Sequence, residues 1–313
     1  MQCAAVVAAG ALLAAWPAFA APDGQSAQGH AVVTVLPADH AATANVSQQE
    51  LSVKVNGKDS SVTGWKPLAG PDAPVQMVIL IDGAARSSLG TQMQEIERFI
   101  QELPANTSVT IAYMENGRAV LTGPLSTDRA ATLRGLRIPG GVSGASASPY
   151  FCLSDLAQHW PSSDHQTRRE VVMITDGVDY YQLRYDPNDP YVQAAITDSV
   201  RAQLIVYSIY WRNVGRLDRS GYETDAGQNL LTQVTQATGG ANYWEGYGDP
   251  VSFRPFFEDI ERRLNNQYEL SFMAPAATKP QVETLRLKFS GSGAKVEAPQ
   301  QVLVVGSEMA AND

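Results

Sequence analysis

Apolar and polar positions follow two different rhythms along this chain of 313 residues, and the change of rhythm divides it. Residues 51–55 (Leu-Ser-Val-Lys-Val) alternate strictly, the mark of a strand with one solvated face. Asn56-Gly57 follows at once, a hairpin-turn signal, and residues 62–65 supply the returning strand. Residues 31–36 add another extended stretch, and a Pro/Gly-rich linker at 67–74 closes the segment.

From residue 75 the pattern changes. Val-Gln-Met-Val-Ile-Leu-Ile at 75–81 is almost continuously apolar, as expected of a strand buried on both faces. The following residues predict a helix over 91–103, with Met93, Ile96, Ile100 and Leu103 on one face. Strands at 109–114 and 119–121 come next, then a short helix over 127–136 capped by Thr127. A helix over 149–160 has Ser148 as N-cap and Pro149 at its first position. A buried strand at 171–175, a helix at 192–203, a strand at 204–210 and a helix at 228–238 continue the alternation. A short strand at 241–244 and an amphipathic helix at 253–264 end it. Strand–helix alternation requires crossover connections, so the expected fold class is α/β, a doubly wound, mostly parallel sheet over 74–265.

The chain then reverts to short strands at 268–273, 282–289, 294–296 and 301–305. Neither these nor the N-terminal hairpin make a stable sheet alone. The two segments, 31–66 and 267–306, are therefore expected to pair as a small flanking β-sandwich.

The first twenty residues stand apart. Residues 3–20 carry no charge and end in Ala18-Phe19-Ala20, an A-x-A cleavage pattern, so residues 1–20 are expected to be a secretory signal peptide. No Lys or Arg precedes the apolar stretch, which departs from that pattern. Residues 21–30 are small and polar, a flexible mature N-terminus. The expected location is secreted or periplasmic, without stable membrane insertion once the leader is removed. Cleavage takes Cys3 and leaves Cys152 alone among Tyr150, Phe151 and Leu153, a setting for an inert buried thiol. The net charge of −9 and the absence of any basic run longer than two residues argue against a nucleic-acid partner.

In open α/β sheets, ligands lie beyond the carboxyl ends of the central strands. Two such ends carry aspartates, in Ile81-Asp82-Gly83 and Thr175-Asp176-Gly177. With the apolar run before each, this pair resembles the von Willebrand factor A (vWA) domain. The layout is similar to bacterial secreted vWA-related proteins, through the strand and turn at 51–57 and through Asn266-Gln267-Tyr268-Glu269-Leu270, and the likeness spans about residues 31–305.

The resemblance implies a metal-ion-dependent adhesion site: Asp-x-Ser-x-Ser after the first strand, a Thr on a later loop, and the Thr-Asp-Gly aspartate. Here the first motif is Asp82-Gly83-Ala84-Ala85-Arg86. Ala84 offers no oxygen, and Arg86 brings a permanent cation with no acceptor. The Thr position falls within 140–149, where Ser148 matches best and Ser143 or Ser146 are alternatives. Asp82, Arg86, Ser148 and Asp176 are thus the residues of a degenerate site, with no metal and no cofactor expected. Arg86 is expected to pair with Asp82 or Asp176.

Two long connections should emerge on the same rim. They offer Tyr180, Tyr181, Arg184 and Tyr185 after Asp176, and Trp211, Arg216 and Tyr222 after the next strand. Tyr, Trp and Arg are enriched in interface hot spots. His30, His40, His159 and His165 lack metal spacing, and neither a G-x-S-x-G elbow nor a P-loop lysine occurs. The sequence therefore points to a non-enzymatic protein-binding module. A scaffold subunit using the β-sandwich is the alternative, and a hydrolase is the least favoured.

Overall fold

The computed structural model describes residues 27–38, 46–182, 184–215, 221–274 and 279–305. The segment read as a signal peptide, residues 1–20, lies outside these, as do His40 and Arg216.

In chain order the first strands are β1 (Ala27–Pro37), β2 (Leu51–Val55), β3 (Lys58–Ser60) and β4 (Val62–Pro67). The next stretch holds β5 (Val75–Asp82), α1 (Met93–Glu102), β6 (Thr107–Glu115), β7 (Arg118–Leu121), α2 (Arg129–Leu133) and α3 (Pro149–Gln158). After it come β8 (Arg168–Thr175), α4 (Pro190–Arg201), β9 (Leu204–Tyr210), α5 (Tyr222–Thr238), β10 (Asn242–Tyr243) and α6 (Arg254–Leu264). The chain closes with β11 (Gln267–Ala274), β12 (Gln281–Phe289), β13 (Ala294–Glu297) and β14 (Gln301–Val305).

Six strands form one sheet in the order β10-β9-β8-β5-β6-β7. Neighbours are parallel from β10 to β6, and β7 runs antiparallel against β6. The sheet is thus mixed, because the tight Asn116-Gly117 turn allows only an antiparallel return, whereas a parallel one needs a crossover. Both faces are covered. Met77, Ile79 and Ile81 pack with Phe99 of α1 and Phe257 and Ile260 of α6, while Val78 and Leu80 pack with Leu153 of α3, Val192 of α4 and Val234 of α5. Burial on both sides is why β5 is apolar apart from Gln76 and the terminal Asp82.

The β segments form one eight-stranded sheet, not the expected sandwich of two. Its order is β3-β2-β12-β14-β1-β11-β4, with β13 also on β1. The sheet curls over its own core, where Val33, Val35, Val53, Phe272, Leu285 and Val304 are buried. Curling replaces a second sheet as the way to bury one apolar face. Two contacts draw its ends together: Trp65 of β4 donates to the Val46 carbonyl at 2.9 Å, and Gln48 donates to the Val62 carbonyl at 3.0 Å. A further correction falls at the N-terminus, where residues 27–30 pair with 271–274 in β1 and β11 and are not loose.

Helix boundaries shift at two caps. Asp128, not Thr127, caps α2 by accepting from the Ala131 amide at 3.1 Å. The α5 helix starts at Tyr222, six residues before the apolar periodicity becomes visible at 228. Among the described residues, no helix is long and apolar enough to cross a membrane.

Candidate functional site

Asp82 ends β5 and Thr175 ends β8, so the parallel pairing of these strands sets the two side by side. The Thr175 hydroxyl donates to Asp82 Oδ2 at 2.7 Å. Asp82 Oδ1 accepts from the Ala84 amide at 2.9 Å, which closes an Asx turn after the strand. A third donor comes from the connection after β9, where Asn213 Nδ2 reaches Asp82 Oδ2 at 3.0 Å. The fully buried Ser146 hydroxyl faces the same carboxylate without closing a hydrogen bond of regular geometry.

Backbone pairing brings Asn213 there. Val214 donates to the Ala84 carbonyl at 2.8 Å and Arg86 to the Arg212 carbonyl at 3.2 Å, so residues 84–86 and 212–214 make a short antiparallel ribbon. Asp82 is inaccessible to solvent. Burial raises its pKa above the ordinary aspartate value, against the lowering pull of Thr175, Asn213, the Ala84 amide and Ser146.

Asp176 lies one residue beyond Thr175, and its Oδ1 accepts from the Val178 amide at 3.0 Å. The turn is left-handed at Gly177 (φ 68°), and a side chain there would strike Leu231 and the Gly227 carbonyl. Gly227 of α5 is itself pressed on the Asp176 carbonyl. This backbone-to-backbone approach fixes the carboxyl end of β8 against α5, and only glycine on both sides permits it.

Two residues expected at this centre point elsewhere. Ser148 is the N-cap of α3, its Oγ accepting from the Tyr150 amide at 3.3 Å and lying against Asp179, while Ser146 faces Asp82. Arg86 donates through Nε to the Asn213 carbonyl at 3.0 Å. The oxygens of Asp82 are engaged by Ala84, Thr175 and Asn213, so Arg86, expected to pair with Asp82 or Asp176, meets the Asp82 hub through the Asn213 carbonyl.

The rim candidates separate in the same way. Trp211 is a core residue, 2% exposed and set edge-on to Phe253 at 5.4 Å, because it directly continues the buried strand β9. Tyr180 and Tyr185 are half-buried, with Tyr185 packed on the α3–α4–α5 core and its amide donating to the Tyr222 hydroxyl at 3.1 Å. Arg184 is exposed, as are Tyr181 (63%) and Tyr222 (50%). Tyr181 forms an aromatic cluster with Phe151 and Tyr191, with centroids 4.8–6.3 Å apart.

Sequence reasoning missed Asn213 and the Thr175 hydroxyl as Asp82 partners, and missed Trp244 and Tyr247 on the connection after β10. No local motif marks Asn213. The Thr of Thr-Asp-Gly was in view, and its place at a strand end beside Asp82 was the available signal.

Aspartates stand at the carboxyl end of β5 and just beyond that of β8, and the chain is similar to solved structures that include a VWA domain. An aerotolerance-related membrane protein from Bacteroides fragilis is similar over 61% of this chain and 98% of its own, at 14% identity and a TM-score of 0.44. Proximal thread matrix protein 1 from the mussel byssus, described with a zinc-occupied MIDAS motif, is similar over 69% of this chain and 49% of its own, at 10% identity and a TM-score of 0.40. The SpRpn10 VWA domain matches over 60% of this chain and 94% of its own, at 13% identity and a TM-score of 0.36. No protein-family model matches the sequence, and no curated protein does.

Proposed function

We propose that this chain is an exported, non-enzymatic protein-binding module that docks its partner on the carboxyl rim of the α/β sheet without a bridging metal. One observation carries the reading. Of the nine exposed large hydrophobic residues among those described, eight lie on that rim: Ile138, Val142, Tyr181, Tyr191, Tyr222, Trp244, Tyr247 and Val251. Each sits in a connection leaving the rim or in the first turn of a helix that starts there. Apolar side chains gathered at one end of a domain mark an interaction surface, whereas scattered ones do not.

The donor set beside this surface does not fit a divalent cation. The Asp82 carboxylate faces two N–H groups and a hydroxyl that donates to it. At the former serine positions stand the buried Ala84 methyl and the Arg86 cation. Neither the Ala84 nor the Arg86 side chain supplies an oxygen, and the N–H groups turned to the Asp82 carboxylate take the place of the oxygen ligands that a hard cation requires. The hub instead ties three strand ends together and stiffens the platform under the rim.

A binding role also fits the placement of reactive groups. Cys152 is buried, and burial pushes its thiol far above the ordinary range. His159 ends α3 and His165 precedes β8, at the opposite end of the sheet.

The test is capture from an envelope fraction with the native chain, a rim variant (Tyr181→Ser with Tyr247→Ser) and a curled-sheet variant (Lys54→Glu with Lys288→Glu). Loss of the captured protein in the rim variant alone is the expected result. Loss in the curled-sheet variant alone would move the contact to that sheet and favour a scaffold role. Export is checked by mass spectrometry, with a mature start at Ala21 expected.

A further inference from the structure

A polar cluster is buried where the curled sheet meets the α/β layer, at the end of β8 far from the rim. Arg168 and Glu170 alternate onto the same face of β8, and Gln267, the first residue of β11, stands between them. The Gln267 carboxamide accepts from Arg168 Nη1 and donates to Glu170 Oε1 at 2.9 Å. Arg168 donates further to the carbonyls of Leu264 at 3.1 Å and Ala73 at 3.0 Å, both neutral. Glu170 is completely buried, and its Oε2 has no hydrogen-bond partner. Among the described residues the Tyr207 hydroxyl of β9, 3.3 Å from Gln267 Nε2, also faces the carboxyl. Behind Tyr207 lies Arg263 of α6, held by Asp259 at 2.7 Å and by Glu297 of β13 at 2.6 Å, with Tyr243 of β10 on Asp259. From β5, the facing residues Val75 and Met77 bring no charge.

An ionised carboxylate with one unpartnered oxygen is costly to bury, whereas a protonated one can turn its O–H to the Tyr207 oxygen. We propose that Glu170 is a proton-operated latch between the two halves of the molecule, holding the curled sheet to the α/β layer through Gln267 while protonated and loosening it when the proton leaves. Burial, opposed by Arg168, Gln267 and Tyr207, pushes this carboxyl up to about 7 from the ordinary value of 4.5. When the latch opens, water reaches the carboxyl and its affinity for the proton falls back. Between those two values the closed latch keeps a proton that the open one releases, so opening becomes easier by up to about tenfold per pH unit. The hold is complete below 4.5 and lost above about 7.

The Gln300 backbone amide, which donates from the curled-sheet segment to the Gln236 carbonyl of α5 at 2.9 Å, reports the opening, while the amides of Val35 and Leu68, which donate to the Asn266 and Gln267 carbonyls at 2.8 Å inside the curled sheet, report whether that sheet itself stays intact. Their hydrogen exchange, corrected for intrinsic rate, is measured at pH 5, 6 and 7 in the full chain and in Glu170→Gln. The expected result is an opening constant at Gln300 that climbs with pH in the native chain and stays flat in the variant, with the Trp211 amide at the rim, which donates to the neutral Thr175 carbonyl at 3.0 Å, unaffected in both. Equal slopes in the two proteins overturn the latch. A slope shared by Trp211 also overturns it, because the proton then belongs to global unfolding. If Glu170→Gln does not fold, infrared spectroscopy of the native chain decides. A carboxylic-acid band that vanishes with a midpoint near 7 in step with a rise in Gln300 exchange supports the latch, and no such titration between pH 5 and 8 overturns it.

Discussion

The Asp82 carboxylate accepts the side-chain amide of Asn213 at 3.0 Å and so joins the end of β5 to the connection after β9. Both residues are fully buried, and the bond spans 131 residues of chain. Removing one partner of a buried hydrogen bond to a carboxylate leaves the other oxygen short of a donor, at about 1–3 kcal/mol. Asn213→Ala should therefore lose stability on that scale in urea denaturation. A loss below about 0.5 kcal/mol, the range of ordinary surface changes, would remove Asn213 from the hub.

Millimolar Mg²⁺, Mn²⁺ or Ca²⁺ should leave the melting temperature unchanged. A ligand that binds only the folded state stabilises it by about 2.7 kcal/mol at a hundredfold excess over Kd. With Ala84 and Arg86 where the resemblance to vWA domains would place serines, no such gain is expected. Ala84→Ser with Arg86→Ser returns two oxygens beside Asp82 and removes a cation, and should create a metal-dependent shift. A shift in the unmodified chain sinks the metal-free reading. Silence in the double variant shows that restoring these oxygens does not rebuild a site.

Aromatic residues that look alike in sequence should separate sharply by mutation. Trp211, packed edge-on to Phe253 inside the core, should cost about 3–5 kcal/mol on truncation to Ala. Tyr247 is 62% exposed, so Tyr247→Ala should stay within about 0.5 kcal/mol and act on partner capture instead. Equal costs at the two positions contradict their assignment to core and rim.

Cys152 should resist alkylation in the native protein at pH 8. Its thiol is buried, with its pKa raised by burial first and then by the charges of Asp82 and Asp155, so almost no thiolate is present. Iodoacetamide labelling followed by mass spectrometry should show modification only once denaturant unfolds the chain. Fast native labelling would mean that the α3 face opens on its own.

The sequence alone determined whatever depends on local pattern. The almost continuously apolar run of β5, the Ser148 and Pro149 start of α3, and the Asn56-Gly57 and Asn116-Gly117 turns are readable because burial, capping and positive φ each demand particular residues at fixed spacing. The aspartates ending β5 and following β8 were legible for the same reason. Tertiary structure alone decided which groups share the space around Asp82. Asn213 arrives through pairing between two loops, Ser146 displaces Ser148 because a helix cap claims the latter, and Arg86 is drawn to a carbonyl. It also decided that the terminal strands curl into a single sheet instead of two facing ones, since alternation specifies that one face is buried and not what covers it. Trp211 and Tyr247 differ for a similar reason. An aromatic ring carries the same signal in a loop whether it points to the core or to water, and only the path of the backbone chooses between them.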